Sequence, residues 1–254
     1  MRKIFIIIIT TLTVTSSVFA QSENDSSQIF IQQQFATNDY TFKSFLIPGL
    51  MTTYGFIALK SKYFKMINEY TNINIPHSAA NASHLADDIL QFSPALVVYG
   101  LNIAGIKGKN NVFDQTMIYV MSNLILNGTV QSIKNISQEQ RPDLSDYRSF
   151  PSGHTAEAFA SAEFLREEYK DKSPWLGYLG YGMAVTTGCL RMYHQKHWVS
   201  DVIAGAGLGI ISTRLSYILY PLIQKKFFKI KMQKTLVMPS LKNQAIGFQL
   251  VHRF

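Results

Sequence analysis

Six apolar, charge-poor stretches dominate this sequence, at 45–59, 89–106, 115–133, 154–166, 174–190 and 202–223. Most are rich in Ala, Leu, Met and Gly and have helical length, and none alternates apolar with polar residues long enough to read as a half-buried strand. Breakers separate them: Asn74-Ile75-Pro76, the Gly-, Lys- and Asn-rich run 105–111, Arg141-Pro142-Asp143, and Lys170 to Pro174. The pattern predicts an all-α bundle of about six core helices. Only the end departs from it, where TLVMPSL, KNQ and AIGFQLVHRF alternate around a turn signal, so that residues 235–254 read as a β-hairpin.

Charged residues make up 16% and hydrophobic residues 47%, which excludes a disordered chain, a collagen-like fibre or a long coiled coil. A net charge of +8 suits an anionic partner: nucleic acid, anionic lipid or a phosphorylated substrate. Cys189 is the one cysteine, so neither an internal disulfide nor a multi-cysteine metal site can form.

Residues 1–20 have the layout of a signal peptide: Met1-Arg2-Lys3, an apolar run, then Val18-Phe19-Ala20 before a polar segment. An uncleaved signal anchor is the alternative, and both imply export. The expected organisation is a signal peptide (1–20), a polar N-terminal segment (21–42), a helical domain (43–224), and a basic segment with the hairpin (225–254). Of the apolar stretches, 89–106 and 115–133 are charge-free over roughly bilayer length, whereas 45–59 is short and 202–223 contains Arg214. Lys107 and Lys109, then Arg166, Lys170 and Lys172, then the cluster 225–234 fall on alternate connections, which suits one cytoplasmic face. A soluble secreted bundle is the competing reading. The connections 134–153 and 191–201 would lie on the opposite, outward face.

Those outward connections concentrate anion-binding and acid–base groups. Lys134 and Arg141 suit phosphate oxygens, the Arg fork bidentately. Pro151-Ser152-Gly153-His154 opens a helix, so backbone N–H groups and the positive dipole end converge where His154 stands. Arg191 adds a second guanidinium. His197 and Asp201 are four apart and would share a helix face, the carboxylate fixing the imidazole tautomer. Each motif alone is common on protein surfaces. A helix out from His154, a turn at 170–175 and a helix back to Arg191 bring them to one pole of the bundle.

KNISQEQRP, PSGH and RMYHQKHWVSD resemble, in order, the three signature motifs of the type 2 phosphatidic acid phosphatase (PAP2) superfamily, over residues 134–201. The resemblance implies a PAP2-type bundle and catalysis without a cofactor or metal. His197 would be the nucleophile that forms a phosphohistidine, and Asp201 would orient it. His154 would protonate the leaving alcohol and later activate water. Lys134, Arg141, Ser152, Gly153 and Arg191 would hold the phosphoryl oxygens. Two departures stand out: Leu190 replaces the family's usual Ser before the third-motif Arg, and the loop between the first two motifs is short. Asp143, Asp146 and Arg148 in that loop could reach a head group.

Several features read more plainly. His194 is a spare histidine beside the third motif. The run Ala204 to Gly209 lacks dinucleotide-binding spacing and instead lets a neighbouring helix approach closely. Trp175, Trp198, Tyr178, Tyr181 and Tyr193 could form an interfacial belt, and Cys189 reads as buried. The basic run 225–234 lacks any nucleic-acid-binding module, so membrane lipid is the expected partner and nucleic acid is not. The leading function is a metal-independent phosphohydrolase of the cell envelope, membrane-embedded with its site facing the periplasm, acting on a lipid-linked phosphomonoester or pyrophosphate. The alternatives are a soluble secreted acid phosphatase, a vanadate-dependent haloperoxidase with vanadium on His197, and an inactive lipid-phosphate binder.

Overall fold

A computed structural model describes residues 40–77, 85–227, 235–242 and 245–252; the expected signal peptide, residues 21–39 of the polar segment 21–42 and residues 228–234 of the basic run lie outside them. Among the described residues eight helices follow in order: α1 Phe42–Ala58, α2 Lys62–Asn74, α3 Leu85–Leu90, α4 Ser93–Ile103, α5 Val112–Ser137, α6 Gly153–Tyr169, α7 Pro174–Tyr193 and α8 Val199–Phe227. Strands β1 Thr235–Lys242 and β2 Ala245–His252 pair antiparallel, with Thr235 opposite His252 and Lys242 opposite Ala245.

Local chemistry starts these helices where the sequence signals stand. Asn111 caps α5 by accepting from Asp114 N at 2.9 Å. Ser152 caps α6, accepting from Thr155 N at 3.4 Å. Pro94 and Pro174 sit in the first turns of α4 and α7, where a missing N–H costs nothing.

Helix α6 is the axis of the bundle, with all but three of its 17 residues buried. Helices α4, α5, α7 and α8 pack around it, and α1 packs on α8. Small residues set the spacing. Ala158, Ala162, Ala184 and Ala206 meet Phe159 and Ile210 in one cluster, while Ala156 and Ala160 meet Leu126, Val130 and Leu208 in another. A Cβ on Gly205 would stand 2.5 Å from Ser152 O, one on Gly209 2.2 Å from Ala156 O, and one on Gly207 2.5 Å from Pro48 O. The Gly/Ala run of α8 therefore brings its backbone against α6 on one side and α1 on the other.

A buried axis carrying four glutamates needs partners for each. Glu163 accepts from Arg166 at 2.8 Å, from Arg214 Nε at 2.5 Å, and from the Tyr181 hydroxyl. Glu168 accepts from Asn110, Gln115 and Tyr217, Glu157 from Tyr119, and Glu167 pairs with Lys170 at 3.1 Å. Most of these contacts lie in the C-terminal half of α6, so polar networks pin one end of the axis and leave the other end for the site.

The membrane reading changes in detail. Residues 89–106 do not form one long helix: the chain breaks at Gln91 and Phe92, and Ser93-Pro94 restarts it as an 11-residue helix about 16 Å long. Among the described residues Val199–Gln224 is the one helix long and apolar enough to cross a bilayer, and α1 with α2 reach that standard only as a pair bent by 96°. Arg214 does not disqualify α8, because its charge is met inside the bundle by Glu163. Helices α2 and α3 have no counterpart among the six apolar stretches, since α2 is charged and amphipathic and α3 is a six-residue helix. Cys189 is exposed, a correction to the expected burial; the buried side of α7 runs through Gly177, Gly180, Ala184, Thr187, Gly188 and Arg191 instead. Of the expected aromatic belt, Trp175, Tyr178 and Tyr193 are exposed, whereas Trp198 donates to Gln140 O and Tyr181 to Glu163.

Candidate active site

The C-terminal ends of α5 and α7 and the N-terminal ends of α6 and α8 meet at one pole, as the helix-out, helix-back spacing requires. Lys134 lies in the last turn of α5, buried, with Nζ donating to Arg148 O at 2.5 Å. Arg141 follows in the connecting loop, held by Asp146 through Nε–Oδ1 at 2.8 Å and by N–H to Asp146 O at 3.0 Å. Ser152 and Gly153 open α6 and deliver His154. Arg191 is buried in the last turn of α7.

Between α7 and α8 the chain reverses at Gln195, whose φ of 55° is left-handed. The reversal places His197 two residues ahead of α8, not inside it. His197 and Asp201 therefore meet across a helix start: Nδ1 stands 3.5 Å from Oδ2, with both side chains almost wholly buried. Asp201 is fixed from two further sides, its Oδ2 accepting from Ser149 Oγ at 2.5 Å and from Trp198 N at 2.9 Å. Ser152 N donates to the backbone oxygen of Asp201 at 3.1 Å, tying the second motif to the third.

The electrostatics converge on His197. Burial holds its pKa well below the ordinary value, and Lys134, Arg191, Arg141 and His154 each push it the same way through their charge. The imidazole is thus neutral and surrounded by cations. Burial, then the neighbouring Arg141, push Lys134 down to about 8. Among the described residues, Arg191 Nε is buried without a hydrogen-bond partner, which suits a guanidinium arranged for a guest with acceptor oxygens.

A fourth segment enters where the sequence gave no signal. Asp87, on α3, binds the Arg191 guanidinium and stands 3.5 Å from His194 Nδ1, and Asp88 Oδ1 lies 2.7 Å from His154 Nε2. His194 is accordingly buried beside Asp87. The loop charges are engaged within the protein. Asp143 pairs with Lys196 at 2.6 Å, Asp146 with Arg141, and Arg148 reaches Asn135 and Gln131 at 3.0 and 2.6 Å. These contacts brace the loop against α5 and the third motif. Asp143 and Asp146 are held below the usual carboxylate range: burial opposes this but is outweighed, for Asp143 by hydrogen bonds from Lys196 and Ser145, and for Asp146 by Arg148 N and Arg141.

Comparison with known families matches residues 115–225, the segment carrying all three motifs, to the PAP2 superfamily. The lipid A 1-phosphatase of Porphyromonas gingivalis is 34% identical over 138 residues, which is 54% of this chain and 31% of that one. The chain thus matches about a third of the length of that relative. Two crystal structures are similar at lower identity. LpxE of Aquifex aeolicus aligns at 18% identity and TM-score 0.40, over 75% of this chain and 93% of its own. A transmembrane PAP2-type phosphatidylglycerolphosphate phosphatase of Bacillus subtilis aligns at 19% and 0.43, over 70% and 97%.

Proposed function

We propose that this PAP2 protein is a phosphohydrolase that removes phosphate from a lipid-linked phosphomonoester or pyrophosphate through a phosphohistidine. The observation that carries the reading is the neutral, buried His197 beside Asp201, with Lys134, Arg141 and Arg191 around it and His154 on a neighbouring helix start. With Nδ1 facing Asp201, Nε2 is left to attack phosphorus. The three cations, Ser152 Oγ and the N-terminus of α6 with Gly153 gather the phosphoryl oxygens, which gain charge in the transition state. His154 protonates the leaving oxygen as the P–O bond breaks, then takes a proton from the water that cleaves the P–N bond and restores His197. Fixed cations supply the charge that metal ions supply elsewhere, so the proposed reaction is metal-independent.

The surface supports a lipid substrate. Phe42, Ile47 and Leu50 on α1, Leu96 and Ile103 on α4, Leu124 on α5, and Trp175 and Tyr178 on α7 are all more than half exposed. A surface this apolar suits a bilayer, in which a lipid tail stays buried while its phosphate reaches the cations. The site would face the periplasm, opposite the basic connections. The test is phosphate release in detergent with EDTA, across phosphatidic acid, phosphatidylglycerol phosphate, undecaprenyl pyrophosphate, a lipid A phosphate and para-nitrophenyl phosphate. Turnover of one lipid well above the aryl ester is expected. Turnover of the aryl ester alone would make the protein a broad acid phosphatase, and no turnover would overturn the reading.

A further inference from the structure

We propose that Asp88 is a positioning residue for His154, so that the site holds a second carboxylate–imidazole pair on its leaving-group side, matching His197–Asp201 on its nucleophile side. The inference rests on the phosphohydrolase reading of this site. Its ground is the 2.7 Å contact between Asp88 Oδ1 and His154 Nε2, made across 66 residues of chain. Asp87 explains why the contact is held. Its fully buried carboxylate binds Arg191 and lies near His194, and this anchors α3 against α7 so that the next residue reaches α6.

The pairing has a chemical consequence. A general acid must carry its proton when the substrate binds, and His154 stands where burial, first, and the Arg191 charge, second, both strip it. Against them act the hydrogen bond and charge of Asp88 and the charge of Asp87, both from α3. His197 faces the same cluster from the α7–α8 loop and is itself neutral. On balance the His154 pKa stays below its ordinary value; Asp88 offsets part of that loss and fixes the ring through Nε2, leaving Nδ1 for the leaving oxygen. As the P–O bond breaks and the bond from phosphorus to His197 forms, that proton passes from Nδ1 to the departing alkoxide, and the neutral ring retains its Asp88 contact.

The sign follows directly. Removing the Asp88 charge lowers the His154 pKa, so the alkaline limb of the rate profile moves to lower pH. General acid catalysis contributes roughly 10²–10⁴ in rate, so losing the partner and not the acid is expected to cost about tenfold on an alkyl leaving group. An aryl phosphate, whose leaving group needs no proton, should be nearly indifferent in kcat/KM, which covers phosphoryl transfer to His197 and leaves out the His154-assisted hydrolysis common to all substrates.

Asp88→Asn is the decisive variant, since Asp88 is about half exposed and its loss leaves no buried charge. In detergent, kcat/KM on phosphatidic acid should fall about tenfold with its alkaline limb displaced downward, while kcat/KM on para-nitrophenyl phosphate stays close to wild type. Asp88→Glu should recover part of the loss, and Asp88→Asn added to His154→Ala should cost nothing further. Equal loss on both substrates with an unmoved limb would overturn the proposal. A proton NMR titration of His154, assigned against His154→Ala, reads the pairing without turnover: a lower midpoint in Asp88→Asn is expected, and an unchanged one refutes the pairing. Failure of the phosphohydrolase reading shows itself separately, as a wild type that releases no phosphate.

Discussion

Asp201 Oδ2 receives Ser149 Oγ at 2.5 Å while facing His197 Nδ1 at 3.5 Å, so a serine outside the three signature motifs holds the carboxylate that orients the proposed nucleophile. Both Ser149 and Asp201 are fully buried. A hydrogen bond to a buried charged group is worth about 1.5–3 kcal/mol.

Ser149→Ala should therefore release Asp201 and let the imidazole turn. If that energy falls on the barrier, kcat drops by roughly tenfold to a hundredfold, with KM little changed because the cations proposed to bind phosphate stay in place. Steady-state kinetics on the best substrate checks it. A rise in KM at constant kcat would place Ser149 in binding and not in orientation.

Lys134 gives the site a pH response separable from that of His154. Burial and Arg141 bring it down to about 8, so the free enzyme loses one charge of the proposed phosphate site as pH rises through that value. On para-nitrophenyl phosphate, which needs no general acid, kcat/KM should be flat below this pH and fall above it. Lys134→Met should lower kcat/KM throughout and abolish the limb. A limb that survives the substitution belongs to another group.

The glycines of α8 and α5 should answer oppositely to alanine. At Gly205 the new methyl meets the backbone oxygen of Ser152, which opens α6, so the two helices must part at the site. A stability loss of about 1–3 kcal/mol, with falling activity, is expected for Gly205→Ala. At Gly128, mid-helix in α5, the methyl meets nothing within 4 Å, and Gly128→Ala should stabilise by about 0.5–1 kcal/mol. Thermal unfolding of both variants in one detergent tests the contrast, and equal effects would count against the close approach of α8 to α6.

How much of this was legible in the sequence depends on the range of each signal. The bundle was, because apolar stretches and Pro, Asn and Gly breakers are local, and α5 to α8 fall where those signals stand. The meeting of Lys134, Arg141, His154, Arg191 and His197 at one pole was legible too, since helix lengths alone return α6 and α7 to the same end. Asp87 and Asp88 were not, because nothing in a six-residue helix reports contacts made 104 and 66 positions away. Ser149 escaped for a related reason: a serine in a loop resembles any turn residue until the fold sets it against Asp201. The span assignment went astray at 89–106, where continuous apolarity hid a break beside Pro94. At α8 a lone Arg214 counted against a charge-free span, because its partner Glu163 lies 51 residues away.

The most direct measurement asks where the phosphoryl group goes. Wild type and His154→Ala are mixed with ³²P-labelled substrate, quenched in alkali, which preserves phosphohistidine, and digested for mass spectrometry. Label on His197, longer-lived in His154→Ala because the water-activating base is gone, and absent from a folded His197→Ala variant that no longer turns over, is the expected result. Turnover with no label on His197, or a His197→Ala variant near wild-type activity, would contradict the mechanism.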